Sequence, residues 1–531
     1  VGENRNHQRR IDQDARKGNP MKTFVAHITS VTLVWSCLAT AAIADWNQYR
    51  GPRGDGVSQV KDIPIEFDEA NNVRWKTAIP HSGWSSPVVW QDEVWVTTGS
   101  DQLGELRAIC IDLSTGKEKH NVLVFKTLKR KIDAGYAFDS PHLNSPATPT
   151  SVVEDKRVFV SFGSQGIACL DRNTGSKVWE RRDLRIYQPV RQGSSPIVDE
   201  NNLYVAFDGT DQQFFVALDK ATGVTRWKVD RKVNTDWSAT LRDSGIFKDK
   251  GGKPNDNKKA FATATLIEVS GVRQLIAPAA EAIIAYDPQT GDELWRVLHP
   301  GGFNVAARPI YANGLVYVFT SGLKHSLMAI NPSGKGDVTD SHVVWLTKRG
   351  PSIPSPVIVD GLLFMVTDRG GIARCLDART GDEVWKMRLA GDHWASPILI
   401  DGHLYFSSKQ GEVVVLPATK DPPEIAARNR LNASFIASPA VGNASLILRS
   451  TTHLYCITQG HRRTDQQLAA DVYPDTPAQS NSKTGSAKDA QLQELAAQLK
   501  ALVVAGKLTR KEAAELYQAA AGKPKSADNK K

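Results

Sequence analysis

The residues best suited to hold a ligand lie in two kinds of loop that recur along the chain. One kind precedes a short motif that ends in proline, and the other joins two apolar runs. If such loops gather on one face, their aromatic, charged and amide side chains suit a peptide, a glycan or a small ligand. The candidate ligand-binding residues are Trp84, His142, Arg191, Trp237, Glu281, Asn304, Lys324, His325, Asp368, Arg369, His393, Trp394 and Lys409. The alternative interpretation of Trp84, Trp237 and Trp394 is that they are packing residues of a repeat.

A repeated turn indicates which elements position these loops. The pattern Asp-x-x-Thr-Gly occurs five times, and in four cases a tryptophan follows eight residues after the Asp. The Asp can cap backbone N–H groups, the Gly takes a positive φ and the tryptophan lies on the outgoing strand, so the pattern predicts a β-hairpin. The turns begin at Asp112, Asp171, Asp219, Asp287 and Asp377.

The motif that ends in proline marks the first strand of each unit. It ends at Pro87, Pro146, Pro196, Pro309, Pro356, Pro397 and Pro439. In the fourth unit we assign this position to the WSAT segment that ends at Thr240, followed by a polar insert through about Lys259. Thirteen tryptophans and 40 glycines beside four methionines also favour many short strands. The sequence therefore predicts an all-β fold over residues 45–460, an eight-bladed β-propeller with four strands in each blade.

The ring of blades needs a closure. The last unit begins at Phe435 and has room for only three strands, whereas the segment around Trp75 near the N-terminus is a strand without a unit. We expect these segments to pair, because this completes blade 8 and removes an exposed sheet edge.

The turn pattern resembles the tryptophan-docking motif of the PQQ-repeat propellers, a superfamily that contains the quinoprotein alcohol dehydrogenases and the outer-membrane assembly lipoprotein BamB. The resemblance covers roughly residues 70–460, and the opening Trp46–Gly56 resembles the start of many secreted bacterial proteins with these repeats. It implies that a set of tryptophans packs between blades. Blades 1 and 7 depart from the motif, and blade 1 has His120 in the tryptophan position. The implied docking residues are Trp75, Trp179, Trp227, Trp295, Trp345 and Trp385.

Cysteine positions bear on whether the chain is an enzyme. Cys110, Cys169, Cys375 and Cys456 hold one register position on different blades, which predicts buried free thiols rather than disulfides or metal ligands. Many quinoprotein alcohol dehydrogenases carry a disulfide between adjacent cysteines, and this chain has no such pair. The resemblance also implies Ca²⁺ ligands and a catalytic Asp, but the candidate carboxylates lack a matching local motif. These carboxylates are Glu281, Asp208, Asp211 and Asp368.

The leading hypothesis for function is a non-enzymatic binding or assembly scaffold of the cell envelope, with a protein or cell-surface ligand as partner and no cofactor or metal. The alternative is a dehydrogenase of alcohols or sugars that uses PQQ and Ca²⁺. The formal net charge is +9, but residues 1–20 and 461–531 carry most of it, so the nearly neutral body argues against nucleic acid as a partner.

The N-terminal residues predict export. Residues 21–44 have the layout of a signal peptide that is cleaved after Ala44, which predicts a periplasmic or secreted protein without a transmembrane helix. Residues 1–20 fit no such signal and are interpreted as a non-native upstream extension. The alternative is a lipoprotein signal with Cys37 as lipid acceptor. Trp35 argues against it, because such signals have a small residue at this position before the cysteine.

Residues 461–531 differ in composition from the repeats. We expect a polar linker over 461–488, a helical hairpin over 489–522 and a basic tail over 523–531. Leucines at 492, 495, 499 and 502 form one helical face, and Gly506 can end that helix. Two short helices bury too little surface to be stable alone, so the hairpin should dock on a partner, on a second copy or on the propeller.

Overall fold

A computed structural model describes residues 46–127, 144–188, 190–231, 258–322, 325–348 and 350–472, together with five single positions. These positions, Leu495, Leu499, Glu512, Leu516 and Tyr517, are helical. The described residues all belong to one compact unit. The predicted extension, signal peptide and basic tail, and most of the hairpin, lie outside the described residues. Within the described part of the chain, no helix is long and apolar enough to cross a membrane.

The described strands form eight sheets, which confirms the predicted eight-bladed β-propeller. Each blade has four antiparallel strands. The strands are numbered in chain order and are given below from the innermost to the outermost strand of each blade. Blades 1 to 4 contain β3 (Val88–Trp90), β4 (Glu93–Ser100), β5 (Glu105–Asp112) and β6 (Glu118–Lys126); β7 (Val152–Val153), β8 (Arg157–Ser161), β9 (Ile167–Asp171) and β10 (Lys177–Arg181); β11 (Ile197–Val198), β12 (Asn202–Asp208), β13 (Gln213–Asp219) and β14 (Thr225–Asp230); β15 (Thr265–Val269), β16 (Val272–Pro278), β17 (Ala282–Tyr286) and β18 (Glu293–Leu298).

Blades 5 to 8 repeat this arrangement, and two further short strands and two helices accompany them. Blades 5 to 8 contain β19 (Ile310–Ala312), β20 (Leu315–Thr320), β21 (Ser326–Ile330) and β23 (Val343–Thr347); β24 (Val357–Val359), β25 (Leu362–Val366), β26 (Ile372–Asp377) and β27 (Glu383–Arg388); β28 (Ile398–Ile400), β29 (His403–Ser407), β30 (Glu412–Pro417) and β31 (Ala427–Arg430); β32 (Ala440–Gly442), β33 (Ser445–Arg449), β34 (His453–Arg462) and β2 (Asn71–Ala78). Strand β1 (Val57–Ser58) joins blade 7 in parallel, and β22 (Gly336–Asp337) joins blade 4 in parallel. The α-helices are α1 (Thr339–His342) and α2 (Asp465–Val472), and a 3₁₀ turn covers Gly163–Gln165.

Burial follows the position of a strand in its blade. The second strand of blade 3, β12, is buried along its whole length, whereas the outermost strand β14 alternates between buried and exposed residues. Middle strands are covered by the neighbouring blades on both faces, and outer strands face water on one side. The hydrophobic core therefore lies between the blades.

Strand β2 closes the ring as predicted. It pairs antiparallel with β34, with Trp75 opposite Cys456, and becomes the outermost strand of blade 8. The two distant parts of the chain thus share one sheet, and neither leaves an unpaired edge there.

Two predicted blade starts are wrong. The first strand of blade 4 begins at Thr265, so the WSAT segment that ends at Thr240 is not its start, and that segment lies outside the described residues. The first strand of blade 2 begins at Val152, six residues after Pro146. In both blades the residue before the strand is not proline but Ser151 or Ala264, so proline was a misleading marker there.

The predicted polar linker also contains structure, because helix α2 begins at Asp465. Thr464 and Gln467 form a capping box: the Gln467 N–H donates to Thr464 Oγ1 at 3.2 Å, and the Thr464 N–H donates to Gln467 Oε1 at 2.8 Å. The Thr-x-x-Gln spacing of Thr464 and Gln467 is a sequence signature of this helix start.

The docking tryptophans connect neighbouring blades. In blades 2, 3, 5, 6 and 8 each indole N–H donates to a backbone carbonyl of the next blade, over 2.8 to 3.1 Å. In blade 4, Trp295 donates to Gln274 Oε1 at 2.8 Å, and Gln274 Nε2 reaches Pro332 O of blade 5. The accepting carbonyls in the five direct cases are those of Leu113, Lys220, Pro288, Ala378 and Thr419.

The two blades without a docking tryptophan use other contacts. In blade 1, His120 stacks on buried Trp95, with ring centroids 5.6 Å apart. In blade 7, Asn429 of the outer strand binds the backbone of the N-terminal segment, since its Oδ1 accepts from Phe67 N at 2.7 Å and its Nδ2 donates to Ile65 O. Buried Phe67 and Ile63 belong to the core cluster that includes Tyr405 of blade 7.

Candidate functional site

A cavity of about 380 Å³ lies at the centre of the ring. All eight blades contribute to its lining, mostly through the loops that lead into their innermost strands. Among the lining residues are Trp84 of blade 1, Asn304 of blade 5, Asp368 of blade 6 and Trp394 of the loop before blade 7. A volume of this size is within the range of sites for small ligands.

The floor of the cavity is a ring of hydroxyl groups that the sequence did not reveal. Each blade places one residue two positions before the start of its innermost strand, and seven of these eight residues are Ser or Thr. Around the ring, a backbone N–H of one blade donates to the hydroxyl of the next over 2.8 to 3.1 Å. We call this set the hydroxyl ring: Ser86, Thr150, Ser195, Thr263, Ser355, Ser396 and Ser438, with Arg308 in the eighth position.

Arg308 interrupts the ring because it has no hydroxyl to accept the N–H of blade 4. Its Nε donates instead to Thr265 Oγ1 at 3.1 Å, and its Nη1 donates to the carbonyl of Tyr49. Burial, together with the nearby positive charge of Arg50, lowers the pKa of Arg308 to about 10. The guanidinium therefore remains protonated at neutral pH.

The N-terminal segment Trp46–Ser58, which we call the plug, closes the cavity behind this floor. It crosses the carboxyl ends of the innermost strands: Trp46 pairs with Val89 of blade 1, and Val57–Ser58 pair with β28 of blade 7. Arg50 is 2% exposed and donates to Pro356 O at 2.5 Å, to Pro397 O at 3.1 Å and to Asp55 O at 2.7 Å. Its burial lowers its pKa.

The mouth of the cavity has an aromatic wall. Trp84 and Trp394 are partly exposed and meet edge to face, with ring centroids 5.7 Å apart. The Lys409 ammonium lies 4.0 Å from the centroid of Trp394. The cation–π contact holds the Trp394 ring in place and keeps the Lys409 ammonium near the opening.

The structure brings together some of the predicted ligand-binding residues. Trp84, Asn304, Asp368, Arg369 and Trp394 line the cavity, and Lys409 contacts its wall. His325 is exposed next to the lining, and its Nδ1 lies 3.1 Å from Ser352 Oγ. His142, Trp237 and Lys324 lie outside the described residues.

Three other predicted residues are buried away from the lining. His393 is fully buried, and its two ring nitrogens lie 3.1 and 3.0 Å from the carbonyls of Ser407 and Ala390. Arg191 forms an ion pair with Asp101 at 2.7 Å. Glu281 is 3% exposed, and its N–H donates to Gly302 O. These positions support the loops rather than face the cavity.

The four cysteines of the propeller are buried and free, as predicted. Burial raises the pKa of the Cys169 and Cys375 thiols to about 12, and it also raises the pKa of Cys110 and Cys456. Thiols held in this protonated state are poor metal ligands and poor nucleophiles.

The donor set of the cavity does not fit the Ca²⁺ that accompanies PQQ in quinoprotein dehydrogenases. Ca²⁺ takes six to eight oxygen ligands with carboxylates among them. Asp368 is the one carboxylate among the described lining residues, and no group of three or more His, Cys, Asp or Glu in the described chain could hold a metal ion. The lining instead supplies hydroxyls, amides and indoles.

The blades, their docking tryptophans and the blind central cavity define a PQQ-repeat β-propeller. A family model described as outer membrane protein assembly factor BamB matches residues 65–245, 143–368 and 215–459. The chain belongs to this family. No curated protein matches the sequence.

Solved structures share the fold at low identity. A europium-containing methanol dehydrogenase is 12% identical with a TM-score of 0.57, over 77% of this chain and 90% of that one. A quinohemoprotein alcohol dehydrogenase from Comamonas testosteroni is 11% identical with a TM-score of 0.57, over 85% of each chain. BamB from Moraxella catarrhalis is 12% identical with a TM-score of 0.49, over 72% of this chain and 99% of that one. The likeness to the two dehydrogenase structures shows the fold and leaves the activity open.

Proposed function

We propose that this protein is a non-enzymatic binding or assembly scaffold of the cell envelope, and that its central cavity holds a ligand or part of a partner. The composition of the cavity lining supports the proposal. The lining contains hydroxyl groups, amides and two tryptophans, and only one carboxylate is found among its described residues. This surface suits recognition, whereas Ca²⁺-assisted dehydrogenation needs several oxygen anions. Membership in a family described as an assembly factor supports the same role.

Export is part of the proposal. Residues 21–44 would direct the chain out of the cytoplasm and be removed after Ala44, which gives a periplasmic or secreted protein. A protein or a cell-surface molecule would then be the partner. The predicted C-terminal hairpin would add a second contact with that partner, with a second copy or with the propeller.

A titration with PQQ and Ca²⁺ separates the scaffold from the dehydrogenase. We expect no saturable, Ca²⁺-dependent quenching of tryptophan fluorescence, and no reduction of a redox dye with alcohols or sugars. Quenching together with dye reduction would establish the dehydrogenase instead.

Cross-linking tests the binding role directly. A photoreactive amino acid at Arg369, on the cavity mouth, should form cross-links in the envelope that are absent when it replaces Asp360. Asp360 is a matched control because it belongs to the same blade and lies in the turn after the innermost strand, at the plugged end. The same products from both positions would contradict a role for the mouth.

A further inference from the structure

The cavity contains two features that its general binding role does not explain, a floor of hydroxyl donors and a buried pair of arginines. We propose that it selects an acidic sugar, that is, a hydroxyl-bearing ring with a carboxylate. This inference rests on the proposed function, since it assigns the ligand class of the same cavity.

The floor presents hydrogen-bond donors to the cavity. Five hydroxyls of the hydroxyl ring line it, and each already accepts a backbone N–H from the neighbouring blade. None of these five hydroxyls donates to another described residue, so their protons are available to an acceptor in the cavity. A carboxylate can accept several such bonds at once. The five residues are Ser86, Thr150, Ser195, Thr263 and Ser438.

Positive charge lies directly behind this floor. Arg50 and Arg308 are buried, and among the described residues neither forms an ion pair with a carboxylate; Asp55, the nearest acid, pairs with Arg53 at 2.7 Å. Arg308 contacts the carbonyl of Tyr49, and Tyr49 lines the cavity. Fixed charge in a poorly solvated region acts over a longer range than charge at the surface, so the floor favours an anion.

The walls favour a ligand that carries hydroxyl groups in addition to its negative charge. Asn304 Oδ1 is buried at the wall, and no described residue donates a hydrogen bond to it. An unpaired buried acceptor is costly, and a ligand hydroxyl would satisfy it. Blade 5, which carries Asn304, lies across the ring from blade 1 and Trp84, where the flat C–H face of a sugar ring can pack on indole. Aromatic acids lack the hydroxyl, and neutral sugars lack the charge.

Calorimetric titration of the full chain with glucuronate and with glucose tests this assignment. The two sugars share a ring and differ at the carboxylate. We expect glucuronate to bind at least about tenfold more tightly, because hydrogen bonds to a charged group are roughly twice as strong as neutral ones. Its affinity should fall with added salt.

Arg308→Ser tests the charge without emptying the floor, since five other blades have Ser at this position of the hydroxyl ring. The variant should bind glucose as the parent does and lose most of the preference for glucuronate. Arg428→Ser, on an outer strand, is the matched control and should keep that preference. If Arg308→Ser fails to fold, Asn304→Asp serves instead, because a carboxylate at the wall should abolish glucuronate binding.

The outcomes separate this inference from the proposed function. Equal affinities for the two sugars, or no binding of either, would overturn the acidic-sugar assignment, while cross-links specific to the mouth would leave the scaffold standing. Dye reduction with PQQ and Ca²⁺ would overturn the scaffold itself.

Discussion

The two ends of the central cavity are built differently. At the plugged end, Arg50 is buried and donates three hydrogen bonds to backbone carbonyls, and β1 adds to a blade. At the mouth, Trp84 and Trp394 are partly exposed and Arg369 is exposed. One set of innermost strands thus supports a closed end that is bonded to backbone carbonyls and to a strand, and an open end with exposed aromatic and charged side chains. The difference assigns stability to the plug and recognition to the mouth.

The largest effect should follow removal of the N-terminal part of this closed end. Deleting residues 45–77 removes the plug and β2, which leaves blade 8 with three strands and an unpaired edge. We expect the cooperative melting transition to be lost. Truncation after residue 472 is the control and should melt close to the full chain, because it leaves all eight blades intact. Cooperative melting of the N-terminal deletion would show that closure does not depend on β2.

A tryptophan between blades should matter more than one at the mouth. Trp75→Ala empties a site that is 7% exposed and removes the hydrogen bond to Leu113 O, so it should cost about 3 to 5 kcal/mol of unfolding free energy. Trp84→Ala should cost about 1 kcal/mol, since its ring is partly exposed. Urea denaturation measures both, and equal losses would remove the distinction between packing among the blades and the mouth.

The same comparison can be made with arginines. Arg50→Ala removes the donor from two buried carbonyls and one partly buried carbonyl, and a loss of about 3 kcal/mol is expected. Arg369→Ala, at the mouth, should change stability by less than about 0.5 kcal/mol. If Arg50→Ala leaves the free energy of unfolding unchanged, the plug does not stabilise the ring.

A smaller, pH-dependent effect should come from His299, which is buried behind the open end. Burial lowers its pKa to about 4, and the nearby backbone groups of Ala279 and Ala282 offset this shift only in part. Because the folded-state pKa is below the unfolded value, the unfolded chain takes up the proton first as pH falls. Stability should therefore drop by about 2 kcal/mol between pH 6.5 and pH 5, and level off below about pH 4. His299→Gln should remove this part of the acid dependence, and an unchanged pH profile would contradict it.

Much of the fold could be predicted because it repeats. The hairpin turns, the closing strand and the free cysteines follow from local spacing that recurs in blade after blade. The hydroxyl ring could not be assembled in the same way, because proline served as the marker and blades 2 and 4 have Ser151 and Ala264 there. The residue before the marker, as at Ser86 or Ser438, was the signal that could have revealed most of the ring.

The site was predicted only in part, and for a physical reason. A loop position indicates the face of the propeller but not whether a side chain turns toward the axis, so Trp394 lines the cavity while its neighbour His393 is buried among backbone carbonyls. The plug was also missed, since its partners lie up to 347 residues away in sequence. Contacts of that range have no local pattern.

We expect the acidic sugar to bind inside the central cavity, with its body on the side of the mouth. A crystal structure of the full chain with glucuronate tests it most directly. We expect the ligand to lie between Trp84 and Trp394, with its carboxylate on the hydroxyl ring and a hydroxyl within hydrogen-bonding distance of Asn304 Oδ1. Glucuronate bound elsewhere on the propeller, with the central cavity holding only water, would contradict it.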